Sequence, residues 1–594
     1  AFWILAGLAM LAAAGGRLLV SEWSKQANIS REAIKRLANR GAIQLVDQPL
    51  ERSPFMGAAE PVKEISLTAA QAVALRAICE GQPKETFLLH GVTGSGKTEV
   101  YLRAVATELA RGRGAIILVP EISLAAQVIA CFHSYFGQKL AILHSKLSEG
   151  ERYSEWCRIR SGEAQLVVGA RSAIFAPVDP LGLIIIDEEH EPAYKQEQAP
   201  RYHARAVALQ RADLEGARVV LGSATPSLES YQAAKRGRFR LLTLPDRVRD
   251  LPLPAVRLID MRLEARDGNK GPFSRSLIAA LTAVLASGEQ AIILLNRRGY
   301  APFVLCRNCG AVAQCPYCSV ALTYHRDWKA LCCHYCGTKR APTECCQHCG
   351  GHNVRYLGAG TEKVVESLGK LFPGVRVLRL DRDSTTRKGA HHQIISTFVR
   401  GEADILVGTQ MVAKGFDFPH VRLVGILATD ATLRLPDFRS TERTFQLVTQ
   451  AAGRAGRASA GLVIVQTFAP DHPALVAASA HDYQAFASLE LPGREALAYP
   501  PFGRIIAVTI AAANYERAWQ LANELKQRLA DIPAEILGPA PALLTLLNGQ
   551  HRIQIIIKTK RLNQTSNALR QALTPYLGLS AVHFVVDVDA ISLS

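Results

Sequence analysis

The octapeptide Gly91-Val92-Thr93-Gly94-Ser95-Gly96-Lys97-Thr98 constrains this chain more than any other feature. It matches GxxxxGK[ST], the apolar run TFLLH precedes it, and the helical stretch TEVYLRAVATELA follows it. A strand, a glycine-rich turn and a helix in that order make a phosphate cradle. Glycines let backbone N–H groups close on phosphate oxygens, and the helix N-terminus adds a positive dipole. In such a cradle Lys97 neutralises β/γ-phosphate charge and Thr98 offers a hydroxyl to Mg²⁺. Upstream of the strand, Gln71 is a candidate reader of an adenine edge or a plain surface residue.

The rest of the chain has the texture of α/β lobes. Apolar runs alternate with helical stretches in two series: TFLLHG, AIILVP, QLVVGA, LGLIIIDEEH and RVVLGSAT, then AIILLN, VRVLRLD, DILVGT, VRLVGIL and GLVIVQTF. Such runs read as buried parallel strands with functional groups at their carboxyl ends. Two RecA-like lobes are expected, one over residues 63–248, the other over 249–296 and 353–486 with an insertion at 297–352. Beyond residue 487, three strand-like runs and two amphipathic helices predict a separate α+β domain. The 594 residues leave room for three to five domains at about 100–200 residues each. Residues 18–46 have helix-turn-helix spacing, with Ser30 as a cap, Ile34 and Leu37 on the apolar face, and Ile43 to Val46 opening a wing strand. A winged-helix remnant and linker are therefore expected over residues 1–62, for contact with DNA or with protein.

Composition narrows the partners. Lysine and arginine total 69 against 52 acids, a net charge of +17, which favours a polyanion: nucleic acid or an anionic membrane surface. The uncharged stretch Ala1–Gly16 is shorter than the ~20 apolar residues a bilayer needs and has no positive flank. No membrane span or secretion signal is expected, and with dense CxxC pairs pointing to metal in a reducing compartment the cytoplasm is the expected location. A first residue that is not methionine suggests a chain that begins inside a longer protein.

A second group of motifs supplies chemistry to the cradle. Asp187-Glu188-Glu189-His190 leaves the apolar strand Leu183–Ile186, where Asp187 would hold Mg²⁺ through water and Glu188 would orient or deprotonate the attacking water. Ser223-Ala224-Thr225 ends the next strand and would sense the γ-phosphate, couple the lobes, or cap a helix. In Gln450-Ala451-Ala452-Gly453-Arg454-Ala455-Gly456-Arg457, Arg454 and Arg457 can face a nucleotide held by the other lobe and stabilise phosphoryl charge. Gly408-Thr409-Gln410, Lys414-Gly415 and Asp417 would pass nucleotide state to a nucleic-acid strand.

Ten of the thirteen cysteines lie between Cys306 and Cys349. Four CxxC pairs stand out: Cys306/Cys309, Cys315/Cys318, Cys333/Cys336 and Cys346/Cys349. Eight thiolates make two closed, structural Cys₄ zinc sites. Cys332 and Cys345 break the x₂ spacing and are left out. The sequence does not write the pairing; a nested one, inner pairs together and outer pairs together, gives the inner site compact zinc-ribbon spacing. Residues 291–360 carry eight basic and two acidic side chains. Tyr317, Tyr324, Trp328 and Tyr335 among them either stack on bases or form the module's small core.

GVTGSGKT, LVPEISL, VGARSAIFAP, DEEH, GSATPS, GTQMVAKGFDFP and QAAGRAGR, with the four-CxxC insertion, resemble the bacterial primosomal protein N-prime (PriA) family, superfamily 2 DNA helicases of replication restart. The resemblance runs from about residue 18 to the end. It implies ATP-driven 3′→5′ unwinding at stalled or abandoned forks, two zincs, and primosome assembly. Its implied partners are single-stranded and forked DNA, single-strand-binding protein, and the proteins that load the replicative helicase. It implies a loop after DEEH that couples DNA to hydrolysis, here Tyr194-Lys195-Gln196-Glu197 through Arg201-Tyr202-His203-Ala204-Arg205, with Ala206 where the family has aspartate. It also implies an N-terminal domain that captures a nascent 3′ end, expected to precede these residues, and a C-terminal domain of ribosomal-protein-like fold. There Lys558, Lys560 and Arg561 are candidates for DNA contact or a solvated strand end. Rival expectations are another nucleic-acid translocase, or a primosome-loading scaffold with a dispensable ATPase.

Overall fold

The computed structural model describes the chain except residues 1–9, 12–19, 21–22, 25–26, 28, 46–65, 121–125, 146, 249–251, 270, 297–303, 319, 326–328, 343–344, 357–360, 382–383, 385–389, 410–411, 413–417, 457–459, 580 and 594. Two units result: residues 1–54 with 148–154, and the remainder. In the smaller unit Ser30 caps the helix Arg31–Asn39, its hydroxyl accepting from the Ala33 N–H at 3.2 Å. Ile34 and Leu37 bury against Trp23, Ala27 and Ile29. Of the expected wing, Ile43 to Leu45 form no strand, and Val46 and the residues up to 65 lie outside the described residues. Ile43 instead packs on the helix core. Of Ala1–Gly16 only Met10 and Leu11 are described.

The larger unit begins with seven parallel strands: β1 (Thr86–Gly91), β2 (Gly114–Leu118), β3 (Leu140–Leu143), β4 (Leu166–Gly169), β5 (Leu181–Asp187), β6 (Arg218–Ser223) and β7 (Arg240–Leu244). Their order is β3-β4-β2-β5-β6-β1-β7. Helices cover both faces, so the inner strands are apolar along their length and readable as such. β6 lies between β1 and β5. The carboxyl ends of these three strands therefore carry the glycine-rich turn, Ser223 and the DEEH run side by side.

The second lobe starts with β8 (Ala255–Asp260) and β9 (Gln290–Leu295). The insertion follows, with short antiparallel strands β10 (Val304–Cys306), β11 (Thr323–His325), β12 (Ala330–Cys332), β13 (Lys339–Arg340) and β14 (Val354–Tyr356). β15 (Val377–Leu380), β16 (Ile405–Gly408), β17 (Val421–Leu427) and β18 (Leu462–Thr467) complete a parallel sheet of order β15-β16-β9-β17-β18-β8.

The last domain is an antiparallel sheet, β20-β21-β19-β22, built from β19 (Arg504–Ala512), β20 (Glu535–Leu547), β21 (Gln550–Thr559) and β22 (Val582–Val588). Helices Tyr515–Arg528 and Leu562–Leu573 bury Leu521, Leu525 and Leu569 against Ile506, Val508 and Ile555. The boundary expected at residue 487 falls inside a helix, Tyr483–Ala496. Phe486 and Leu491 of that helix belong to the core shared with the α/β lobes, which is why the helix continues through the expected break. Among the described residues no helix is long and apolar enough to cross a membrane.

Candidate nucleotide and zinc sites

Gly91 ends β1, and the helix Lys97–Ala110 starts six residues later. Gly94 and Gly96 hold φ of +86° and +76°, left-handed values that admit glycine without strain. A Cβ on Gly91 would meet Ser95 Oγ at 2.5 Å, so the turn closes only around bare backbone. Val92 N–H donates to Leu244 O and Ser95 N–H to Val92 O, each at 3.1 Å, and Thr93 lies between them. Lys97 Nζ donates to Gly91 O at 2.8 Å, folded back over the turn. Thr98 is the second residue of the helix. Ser95 Oγ is buried and has no hydrogen-bond partner among the described residues. A cradle that excludes side chains, with an orphaned hydroxyl and a lysine at its rim, fits a phosphate chain.

Gln71 is buried, which removes the surface alternative. Its Oε1 accepts from Thr68 N–H at 2.9 Å and its Nε2 donates to Ser95 O at 2.8 Å, so the carboxamide braces the turn.

Asp187 closes β5 beneath the cradle. Tyr101 O–H donates to Asp187 Oδ1 at 3.1 Å, and Tyr194 O–H donates to Asp187 O at 2.6 Å. Burial, then the Glu188 carboxylate, pushes Asp187 up to about 6, against the Lys97 ammonium. Glu188 sits at φ +46°, an uncommon conformation for a residue with a Cβ. Its Oε2 is buried, 3.7 Å from His190 Nδ1, without a hydrogen bond among the described residues. Two adjacent carboxylates, one with an unused oxygen, suit a hydrated divalent cation and a polarised water. The Tyr101 hydroxyl is not singled out by the sequence, because an aromatic on a helix reads as core, and Tyr194 is singled out only as part of the coupling loop. Gly222 gives the available signal, because a Cβ there would lie 1.6 Å from Tyr101 Oη.

Glu189 faces away from the cradle. It is buried and accepts from Arg205 at 2.7 Å and from Ser227 N–H at 2.6 Å. Arg205 also donates to Ser227 and Ser230 hydroxyls at 2.6 and 2.8 Å, so it braces the framework at the head of its helix. Ala206 is exposed.

The second lobe meets this site directly. The Gln450 carboxamide donates to His190 Nε2 at 2.7 Å, which leaves the His190 Nδ1–H to donate to Ser223 Oγ at 2.7 Å. Ser223 Oγ also accepts Thr225 N–H at 2.9 Å, which closes a turn; the helix that follows, Leu228–Lys235, is capped by Ser227, so the cap alternative is corrected and the link toward the second lobe remains. A Cβ on Gly453 would lie 2.5 Å from Thr93 Cγ2, so the turn bearing Arg454 abuts the cradle. Arg457, Gln410, Lys414, Gly415 and Asp417 lie outside the described residues; Gly408 ends β16, with Thr409 next to it. Sequence reasoning missed Arg247 in the connection between lobes. Its guanidinium donates to Thr93 O at 3.2 Å and to Gly456 O at 3.1 Å.

The eight CxxC cysteines form two groups. Cys306, Cys309, Cys346 and Cys349 converge, as do Cys315, Cys318, Cys333 and Cys336, with the sulfurs of each group within 4.8 Å of one another. Separations of 3.7 Å for Cys306–Cys349 and 3.6 Å for Cys309–Cys346 and Cys315–Cys336 match the ~3.8 Å edge of a tetrahedron with ~2.3 Å Zn–S bonds. Two zinc ions fit, in the nested pairing. Cys332 is buried but outside both groups, and Cys345 is exposed. Tyr324 and Tyr335 pack in the module's core, Tyr317 is 80% exposed, and Trp328 lies outside the described residues.

One candidate DNA contact is corrected. Lys558 is buried, its Nζ donating to Leu497 O at 2.9 Å and pairing with Glu535 at 2.7 Å over the Tyr499 ring. It holds β21 to its surroundings. Lys560 and Arg561 are exposed.

Comparison with known proteins agrees with this architecture. Four family models match in order along the chain: DEAD/DEAH box helicase over 68–234, PriA DNA helicase Cys-rich region domain over 315–340, helicase conserved C-terminal domain over 346–459, and primosomal protein N C-terminal domain over 495–591. Replication restart protein PriA of Bacillus subtilis is 44% identical, covering 97% of this chain and 72% of the relative. The Synechocystis protein of the same name is 42% identical, over 98% and 71%, and that of Treponema pallidum 42%, over 89% and 80%. Relatedness at this level along nearly the whole chain, with PriA-specific zinc and C-terminal regions flanking a helicase core, makes this chain a member of the PriA family, DNA helicases of replication restart.

Proposed function

We propose that this chain hydrolyses ATP in the cleft between its lobes and uses the cycle to move 3′→5′ along DNA at stalled or abandoned forks. The observation that carries the reading is the Gln450–His190–Ser223 chain, which joins the second lobe to the ends of β5 and β6. Lys97 and the N–H groups of Thr93, Gly94, Gly96, Lys97 and Thr98 hold the phosphates, and Gln71 keeps the turn in shape for the adenine side. Thr98 and Asp187 hold Mg²⁺, which supplies charge neutralisation when bound. Glu188 takes the proton of the attacking water, and Arg454, with Arg457, meets the developing phosphoryl charge from across the cleft. Closing and opening of that cleft moves the lobes on one strand, while the zinc module stands at the duplex.

Family membership supports a wider setting: single-stranded and forked DNA as substrates, single-strand-binding protein and helicase-loading proteins as partners, and the cytoplasm as the compartment. Strand displacement on duplexes with a 3′ or a 5′ single-stranded arm tests the polarity. Unwinding of the 3′-armed duplex alone supports it, and preference for the 5′ arm overturns it.

A further inference from the structure

The first loop after DEEH reaches two parts of the molecule at once. Tyr194 is fully buried, and its O–H meets Asp187 O at 2.6 Å, with Leu118 O at 3.0 Å as second acceptor. The next residue, Lys195, is also buried, yet its side chain runs to the C-terminal domain. Its Nζ pairs with Asp587 Oδ1 at 2.8 Å and donates to Val588 O at 2.7 Å and Asp589 O at 3.3 Å. An ammonium has three donors, and here it faces three oxygens at the end of β22.

The segment between these contacts is stiff. Lys195 N–H donates to Pro192 O at 3.0 Å, Gln196 N–H to Tyr202 O at 2.8 Å, and Arg171 to Ala193 O at 2.8 Å. Beyond β22 the chain continues to the second lobe, where Arg443 donates to Ile591 O and Leu593 N–H donates to Asp437 Oδ2 at 3.2 Å. Residues 587–593 thus touch the first lobe at one end and the second at the other.

We infer that Lys195 is a positioning residue for ATP hydrolysis, tying the C-terminal domain through Tyr194 to the backbone of Asp187. This rests on the proposed role of Asp187 at the metal. A buried cation facing a carboxylate and two carbonyls has little slack, and its loss leaves the two carbonyls without their donor and the Asp587 carboxylate without its counter-charge. The seat of the last strand then no longer sets the loop, and the Asp187 carbonyl loses a rigid neighbour. Because the strap also reaches the second lobe, Lys195 makes the C-terminal domain part of the machinery that senses lobe spacing.

The test measures DNA-stimulated ATP hydrolysis by zinc-loaded full chains carrying Lys195→Ala, Lys195→Arg, Asp587→Asn, or Lys195→Ala with Asp587→Asn, each with a melting curve. Lys195→Ala should lower kcat about tenfold, with KM for ATP held within about twofold. Lys195→Arg should restore most of kcat, since a guanidinium still reaches the same oxygens. Asp587→Asn should lose less than Lys195→Ala, and the double variant no more. Unchanged kcat in Lys195→Ala, an equal loss in Lys195→Arg, or multiplying losses in the double variant would overturn the inference. Should Lys195→Ala fail to fold, unchanged kcat in a folded Asp587→Asn chain overturns it equally. Hydrolysis that survives Lys97→Ala would instead remove the ATP site on which the inference rests.

Discussion

Gly453 and Thr93 are in van der Waals contact across the two lobes: a Cβ on Gly453 would stand 2.5 Å from Thr93 Cγ2 and 2.8 Å from Thr93 Oγ1. The first belongs to the turn that bears Arg454, the second to the glycine-rich turn. Backbone of one lobe therefore rests on the phosphate cradle of the other. Gly453→Val would force the two apart and withdraw Arg454 from its place. Hydrolysis should fall about a hundredfold, with nucleotide binding by the first lobe retained. Steady-state kinetics beside fluorescent-nucleotide titration checks this, and a variant with normal kcat speaks against an arginine delivered by this turn.

The zinc pairing makes a sharp contrast between neighbouring cysteines. Cys333→Ser should release one of two zinc ions per chain, because a Cys₄ site loses a thiolate and its closed shell. Cys332→Ser, whose sulfur lies outside both groups, should retain both. Metal analysis of the purified variants reads the difference directly.

Lys558 and Lys560 should separate stability from DNA binding. Lys558→Ala removes a buried charge-assisted hydrogen bond to Leu497 O and an ion pair to Glu535, and should cost about 2 kcal/mol without a change in salt dependence of DNA affinity. Lys560→Ala, at an exposed position, should leave the melting temperature alone. If it touches phosphate, it lowers affinity uniformly across sequences.

Acid sensitivity follows from His90, at the end of β1. Burial, then the Lys97 ammonium, holds its pKa down to about 4, against an opposing backbone hydrogen bond at Ala224. Between pH 6.5 and 4 the unfolded chain binds a proton that the folded chain refuses. Stability therefore falls as the pH drops through that window, by up to about 3 kcal/mol from this residue, and the contribution is fully present above pH 6.5. His90→Gln should flatten the fall in denaturation midpoint over this range; an unchanged slope argues against a neutral buried imidazole.

What could be read from sequence was local. The GVTGSGKT and DEEH runs each declare themselves within a dozen residues, because strand, turn and functional group are contiguous. The inner strands were readable because helices cover both faces and demand unbroken apolar runs. β8 was not, since as an edge strand it is only partly buried, and β20 was not, since Pro539 and Pro541 interrupt it. Gln450 meets His190 across 260 residues and Lys195 meets Val588 across 393, and no spacing rule reports such pairs. Lys558 reads as a strand-end charge, and only the fold places Glu535 and Leu497 around it.

A motor of this kind needs both lobes at its ATP site and answers to DNA. The most direct measurement is steady-state ATP hydrolysis with and without single-stranded DNA, for the zinc-loaded chain, Lys97→Ala and Arg454→Ala. DNA should strongly stimulate hydrolysis in the unaltered chain, Lys97→Ala should not hydrolyse ATP, and Arg454→Ala should lose about 10³-fold with nucleotide still bound. Hydrolysis indifferent to DNA, or an Arg454→Ala chain as active as the unaltered one, would contradict such a motor.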